Sequence, residues 1–183
     1  MAQLKQVYTF GSYLQNKFGH KVHKGAVSIS GFTCPNIDGT VAKGGCTFCE
    51  NDSFSPSLDK VQPLKGFHLN LESTENPFLE KQLLQLEMQF DALSKRQKRE
   101  YGVDKYLVYF QSFTNTYAPL ETLKALYEKA LSFENVIGLS IGTRSDSVNE
   151  ETLEYLAELS KDKEIWIEFG IQSIYDETLE RIN

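Results

Sequence analysis

Polar and apolar positions along the chain follow two alternating rhythms. A short apolar run, "AVSIS" (26–30), ends at Gly31 and predicts a first strand. From 76 to 100, Leu79, Leu83, Leu86 and Phe90 recur at helical spacing, with Asn76 placed to cap and Pro77 at the first helical position. "KYLVYF" (105–110) predicts the second strand, and "PLETLKALYEKALS" (119–132) a second helix, again opened by a proline. "VIGLSIG" (136–142) predicts a third strand. The span 149–160 predicts a third helix, capped by Asn149, with Glu150 and Glu151 in the first turn, where acids suit the positive end of the helix dipole. "EIWIEFGIQS" (164–173) predicts a fourth strand, and "DETLERIN" begins a fourth helix. Strands spaced by helices of this length pair in parallel through βαβ units. The fold class expected is therefore α/β.

The last two strands carry a further signal. Period-2 geometry puts Ile165, Ile167, Phe169 and Ile171 on one face of the fourth strand, and Trp166, Glu168, Gly170 and Gln172 on the other. The third strand repeats this, with Ile137, Leu139 and Ile141 against Gly138, Ser140 and Gly142. One apolar face suits a cover of helices. A small and polar second face predicts a barrel or half-barrel lumen turned toward a ligand; an ordinary open sheet with a few satisfied polar groups is the alternative. The chain stops about one turn into the fourth helix, and an unfinished unit leaves a sheet edge exposed. This predicts the N-terminal part of a longer protein, with a basic segment at 1–24 and the β/α units at 25–183.

Composition adds exclusions. At 40% hydrophobic and 24% charged residues, the chain has an ordinary globular makeup. It holds no secretory signal and no apolar run of about 20 residues, so no membrane span is expected and the expected location is cytoplasmic. A net charge of −6 argues against a general nucleic-acid coat. The charge is uneven, however. The stretch "NKFGHKVHKG" (16–25) is a small basic patch, read either as a solvated loop or as a phosphate contact near a site's mouth.

All three cysteines, Cys34, Cys46 and Cys49, fall within "CPNIDGTVAKGGCTFC" (34–49). An odd, clustered set fits metal binding in a reducing cytosol better than a disulfide framework. A structural zinc wants four closed ligands; the fourth would come from His20, His23 or His68, none at an obvious ligand spacing. A four-iron cluster on three thiolates is the second reading, and plain buried thiols the third. Gly39, Gly44 and Gly45 let the backbone approach a bound group closely, and Phe48 is placed to shield one side.

The segments "GFTCPNIDGTVAKGGCTFC" (31–49), "YFQSFTNTYAP" (109–119), "SIGTRSD" (140–146) and "EFGIQS" (168–173) resemble a bacterial radical-SAM family, the YhcC-like group, which is related to the catalytic subunit of Elongator. The resemblance runs over nearly the whole chain, in order, and departs from the family pattern at Ile37 (usually arginine) and Ser145 (usually proline). It implies a partial (β/α)6 barrel of which 25–183 is the N-terminal part. It also implies a [4Fe–4S] cluster held by Cys34, Cys46 and Cys49, S-adenosylmethionine at the open iron, and a one-electron reductant protein as partner.

On the same resemblance, Gln111, Ser112, Thr114 and Asn115 contact the methionine end of the cofactor. Thr143 and Arg144 follow the third strand, with Arg144 pairing with the cofactor carboxylate. Gln172 contacts the ribose, and Glu168 is an acceptor for cofactor or substrate. The plainer readings are a surface ion pair for Arg144, a buried structural acceptor for Glu168, and packing for Tyr109 and Tyr117. Kinship with Elongator points to tRNA, at the wobble uridine, as the substrate. A small-molecule or peptide substrate, and a non-enzymatic zinc-binding interaction module, stand as alternatives.

Overall fold

The computed structural model describes residues 7–49, 64, 66–103 and 105–182. Strands β1 (Val22–Val27), β2 (Lys105–Phe110), β3 (Val136–Thr143) and β4 (Glu164–Phe169) form one parallel sheet in the order β1-β2-β3-β4. The helices are α1 (Phe10–Phe18), α2 (Pro35–Asp38), α3 (Leu79–Tyr101), α4 (Leu120–Leu131), α5 (Glu150–Leu159) and α6 (Asp176–Ile182). The α/β class expected from the sequence is observed. Among the described residues, no helix is long and apolar enough to cross a membrane.

The main core joins one face of the sheet to α3, α4 and α5. Val27, Val108, Phe110, Leu139 and Ile141 from the strands meet Leu86 and Phe90 of α3, Leu123, Leu126 and Tyr127 of α4, and Leu156 of α5. The opposite face is covered at one end by α1, where Leu14 packs with Val22 and Leu107 beside Phe10, Tyr13 and Trp166. Glu164 ties α1 down: it accepts from Tyr13 at 3.2 Å, Lys17 at 2.5 Å and the Trp166 indole at 2.8 Å. Thus α1 and the first half of β1, both within the basic segment 1–24, belong to the folded sheet.

Beyond α1, one residue from each strand lies on that second face. Lys24 of β1 pairs with Glu168 of β4; its ammonium sits 4.4 Å from the centre of the Tyr109 ring of β2, and Ser140 of β3 donates to Glu168 at 2.5 Å. In a flat sheet the outer strands are about 14 Å apart, three strand spacings. Reaching across Tyr109 to close this pair fits a sheet concave on this side.

Several expectations need correction. The first strand begins at Val22 instead of 26, because polar His23 and Lys24 hide its start; both pair with β2. Residues 28–30 leave the ladder, and glutamines of α3 satisfy their backbone instead. Gln89 accepts from Ser28 N at 2.9 Å and donates to Ser28 O at 2.7 Å. Gln85 accepts from Ser30 N at 2.9 Å, and Gln82 donates to Ser30 O at 2.6 Å.

Helix α3 starts at Leu79, with Phe78 at the cap position. Asn76 instead makes a turn, accepting from Phe78 N at 3.1 Å and donating to Gln82 at 2.7 Å. Ile137 packs with the α1 cluster, not with Leu139 and Ile141, because a register shift between Tyr106 and Leu107 inserts one residue into β3 and flips its faces. Strand β4 ends at Phe169, so Gln172 lies beyond it with φ 65°, and Phe169 and Ile171 are exposed instead of packed under helices. The caps at Asn149 and the opening of α4 after Pro119 are as expected.

Candidate functional site

At the C-terminal end of parallel strands, four loops open around a cavity of about 480 Å³. This is where open α/β sheets bind ligands. The loop after β1 contributes Cys34, Asn36, Cys46 and Cys49; that after β2, Phe113 and Thr114; the last residue of β3 and the loop after it, Thr143, Arg144 and Asp146; that after β4, Gly170 to Ser173.

The cysteine loop is held in shape by its own backbone. After α2, Gly45 N donates to Asn36 O at 2.8 Å, and Cys49 N donates to Cys46 O at 2.9 Å, closing the turn of the Cys-x-x-Cys pair. Gly44 and Gly45 both take the left-handed region, at φ 89° and 81°, which a side chain would strain. Thr47 N donates to Ile182 O at 3.0 Å, linking the loop to α6. The Tyr117 hydroxyl donates to Thr40 at 2.9 Å, so this buried tyrosine anchors the loop.

Two of the sulfurs have polar partners. The Thr114 hydroxyl lies 2.8 Å from Cys34 Sγ, and Asn36 donates to Cys46 Sγ at 3.2 Å. Burial pushes the Cys34 thiol up, with the Thr114 hydrogen bond and the Arg144 charge opposing and the neighbouring thiols reinforcing. Cys49 is likewise raised, by burial and then by Cys46. Three thiols lining one cavity make a donor set that a bound cation would ionise. Among the described residues, no group of three or more His, Cys, Asp or Glu side chains is arranged to hold a single metal ion. His20, His23 and His68 do not line the cavity, so the fourth zinc ligand considered from the sequence is not brought there.

Of the polar residues named from the sequence, Thr114, Thr143, Arg144 and Gln172 line this cavity, while Gln111, Ser112, Asn115 and Glu168 do not. Asn115 is fully buried and donates to Phe110 O at 3.2 Å and to Gly142 O at 3.0 Å, tying together the ends of β2 and β3. Glu168 sits on the concave face with Lys24. Burial raises its carboxyl, but the hydrogen bonds from Lys24 and Ser140 outweigh that and hold it below the usual carboxylate value. Burial and Glu168 push the Tyr109 phenol up to about 12. Arg144 makes a fork to Asp146, Nε to Oδ1 at 2.8 Å and Nη2 to Oδ2 at 2.6 Å.

Asn36 and Asp146 were missed as site residues; Asn36 is two positions from Cys34, inside the cysteine segment, which was the available signal. The basic patch fares differently. Lys17 and Lys24 are committed to Glu164 and Glu168, leaving Lys21 as its lysine without an ion pair among the described residues.

No family model matches the chain. It is 39% identical over 181 residues to the protein YhcC of Escherichia coli, an alignment covering 98% of this chain and 50% of that protein. It is 38% identical over 179 residues to YtqA of Bacillus subtilis, covering 98% of this chain and 49% of that protein. The chain therefore spans about half the length of the relatives it matches, and its similarity to them runs through every loop that lines the cavity.

Proposed function

We propose that the chain is the N-terminal part of a radical-SAM enzyme built on a partial (β/α)6 barrel, with Cys34, Cys46 and Cys49 as ligands of a [4Fe–4S] cluster and S-adenosylmethionine bound beside it. The observation that carries this reading is the gathering of all three cysteines on one cavity at the strand C-termini, together with Arg144 and Gln172. A cluster suits such a set because each thiolate binds its own iron, so the sulfurs need to face a common volume and not a common point. When bound, the cluster supplies the electron that cleaves S-adenosylmethionine to methionine and a 5′-deoxyadenosyl radical.

The residues of the chain do the rest. With Cys34 and Cys46 as cluster thiolates, the Thr114 hydroxyl and the Asn36 amide beside them would donate to the sulfurs, which tunes a cluster's potential. Arg144 receives the cofactor carboxylate, Gln172 its ribose, and the apolar rim of Ile37, Val41 and Phe48 limits water at the reacting centre. The lengthwise similarity to YhcC supports the family resemblance. We place the enzyme in the cytoplasm, served by a one-electron reductant protein, with tRNA as the substrate.

A second substrate reading has its own support. With Lys17 and Lys24 turned into ion pairs, the basic patch offers little to phosphates, which favours a small molecule entering the concave face. Titration of tRNA binding with salt separates the two: no binding by the full-length protein removes tRNA.

The deciding experiment is anaerobic reconstitution with iron and sulfide, followed by metal analysis and EPR of the reduced sample with and without S-adenosylmethionine. About four irons and four sulfides per chain, with a signal perturbed by the cofactor, is the expected result. One tightly held zinc and no cofactor effect would replace this reading with a structural zinc clip.

A further inference from the structure

We infer that Asp146 is a positioning residue that aims the Arg144 guanidinium at the sulfur-lined cavity to receive a ligand carboxylate; this rests on the proposed binding of an amino-acid-bearing cofactor there. An arginine offers five N–H donors in a planar fork. Two of them, on Nε and Nη2, go to the two oxygens of Asp146, at 2.8 and 2.6 Å. Because the group is planar, anchoring that edge fixes the direction of the other one, between Nη1 and Nη2, which is equally suited to a carboxylate.

The anchor is itself held from below. Ser147 Oγ donates to Asp146 Oδ1 at 3.1 Å, and Ser147 N donates to Arg144 O at 3.2 Å. The Ser147 carbonyl accepts from Thr116 Oγ1 at 2.5 Å, and Thr116 shares a 2.6 Å hydrogen bond with Thr143. Ser147 and Thr116 are fully buried. An incidental surface ion pair needs no such footing, since exposed pairs contribute little. Both Arg144 and Asp146 line the cavity, as do Cys34 and Cys46. Without Asp146 the guanidinium is free to swing toward the sulfurs.

The test compares two probes on the full chain reconstituted anaerobically with iron and sulfide: S-adenosylmethionine and its decarboxylated form, which lacks only the carboxylate. Equilibrium dialysis of the wild type is expected to favour S-adenosylmethionine by about tenfold or more, the usual scale of a bidentate charge-assisted contact. Asp146→Asn keeps the shape of the side chain and removes its charge. It is expected to weaken S-adenosylmethionine about three- to tenfold and leave the decarboxylated form within about twofold, at an unchanged melting temperature. Asp146→Glu is expected to restore part of the preference, and Arg144→Lys to lose it.

The opposite sign is the signature of a different role. If Asp146 only screens Arg144, removing its charge tightens the carboxylate ligand. Tighter or unchanged S-adenosylmethionine binding in Asp146→Asn overturns the inference. So does a wild type that binds both probes equally. A wild type that binds neither removes the proposed function and the inference together.

Discussion

Replacing Gln89 with leucine keeps most of the side chain's bulk and removes both hydrogen bonds that it makes to the backbone of Ser28. Those bonds, at 2.9 Å from Ser28 N and 2.7 Å to Ser28 O, replace the strand ladder just where β1 ends and the chain turns toward Cys34. Ser28 is 3% exposed, so water does not readily take their place. A buried backbone group left unmatched costs about 1–3 kcal/mol, and two such groups with partial relaxation cost about 2–4 kcal/mol. The extra apolar contact of leucine returns at most about 1 kcal/mol. The net loss of about 1–4 kcal/mol lowers Tm by roughly 2–16 °C for a chain of this size. Urea unfolding of wild type and Gln89→Leu measures the loss, and hydrogen exchange at the Ser28 amide locates it. Gln85→Leu, which removes one hydrogen bond, the one from Ser30 N, should cost about half as much. A Gln89→Leu protein within about 0.5 kcal/mol of wild type, with Ser28 protection unchanged, would refute the anchoring role.

Gly138→Ala is expected to prevent native pairing of β3 with β4, because its Cβ would lie 1.8 Å from the Glu164 carbonyl oxygen; soluble yield and near-UV circular dichroism report it. The Lys24–Glu168 pair makes a pH prediction. The Glu168 carboxyl is held below its ordinary 4.5, so its stabilisation is complete above that value and lost as pH falls through the lower folded one. The stability gap between wild type and Lys24→Met should therefore narrow on acidification below 4.5, and a gap independent of pH would contradict the pairing. Thr114→Val removes the hydroxyl 2.8 Å from Cys34 Sγ, and in the reconstituted protein it should speed iron loss to a chelator by about tenfold. An unchanged rate would make that contact a packing detail.

From α3 onward the alternation of strands and helices was legible because the elements carry a run of one hydrophobic period, and the caps at Asn149 and around Pro119 came with it, whereas α1 and the four-residue α2 were not read from the sequence. What was lost shares a cause: a period reports which face is buried, not which partner a polar side chain finds. Lys24 looked like a break before the first strand, yet it is in the strand, its charge met by Glu168 on β4. The patch holding Lys17 and Lys24 read as a solvated loop or a phosphate contact for the same reason, since a local cluster of lysines does not disclose carboxylates about 145 positions away. The face flip at Ile137 depends on a register shift against β2, which β3 alone does not encode.

The cavity follows a similar division. Cys34, Cys46, Cys49, Arg144 and Gln172 were recognisable as chemistry-bearing types in loop-like or strand-end segments, and the topology brings them together. Glu168 was recognisable too, but side-chain parity along a strand says only which face it takes, not how far along that face the ligand lies. Gln172 shows the converse. Parity placed it with Glu168, and it reaches the cavity only because the strand stops at Phe169 and residue 172 turns to φ 65°. A strand-end motif thus belongs to the site through the place where regular structure breaks. In this chain that is the same place where Gly44, Gly45 and Phe113 also take positive φ, around the three sulfurs. Of the three non-glycine residues with positive φ among the described residues, Phe113 and Gln172 line the cavity, and a fold tolerates such backbone strain where close approach to a bound group is gained in exchange.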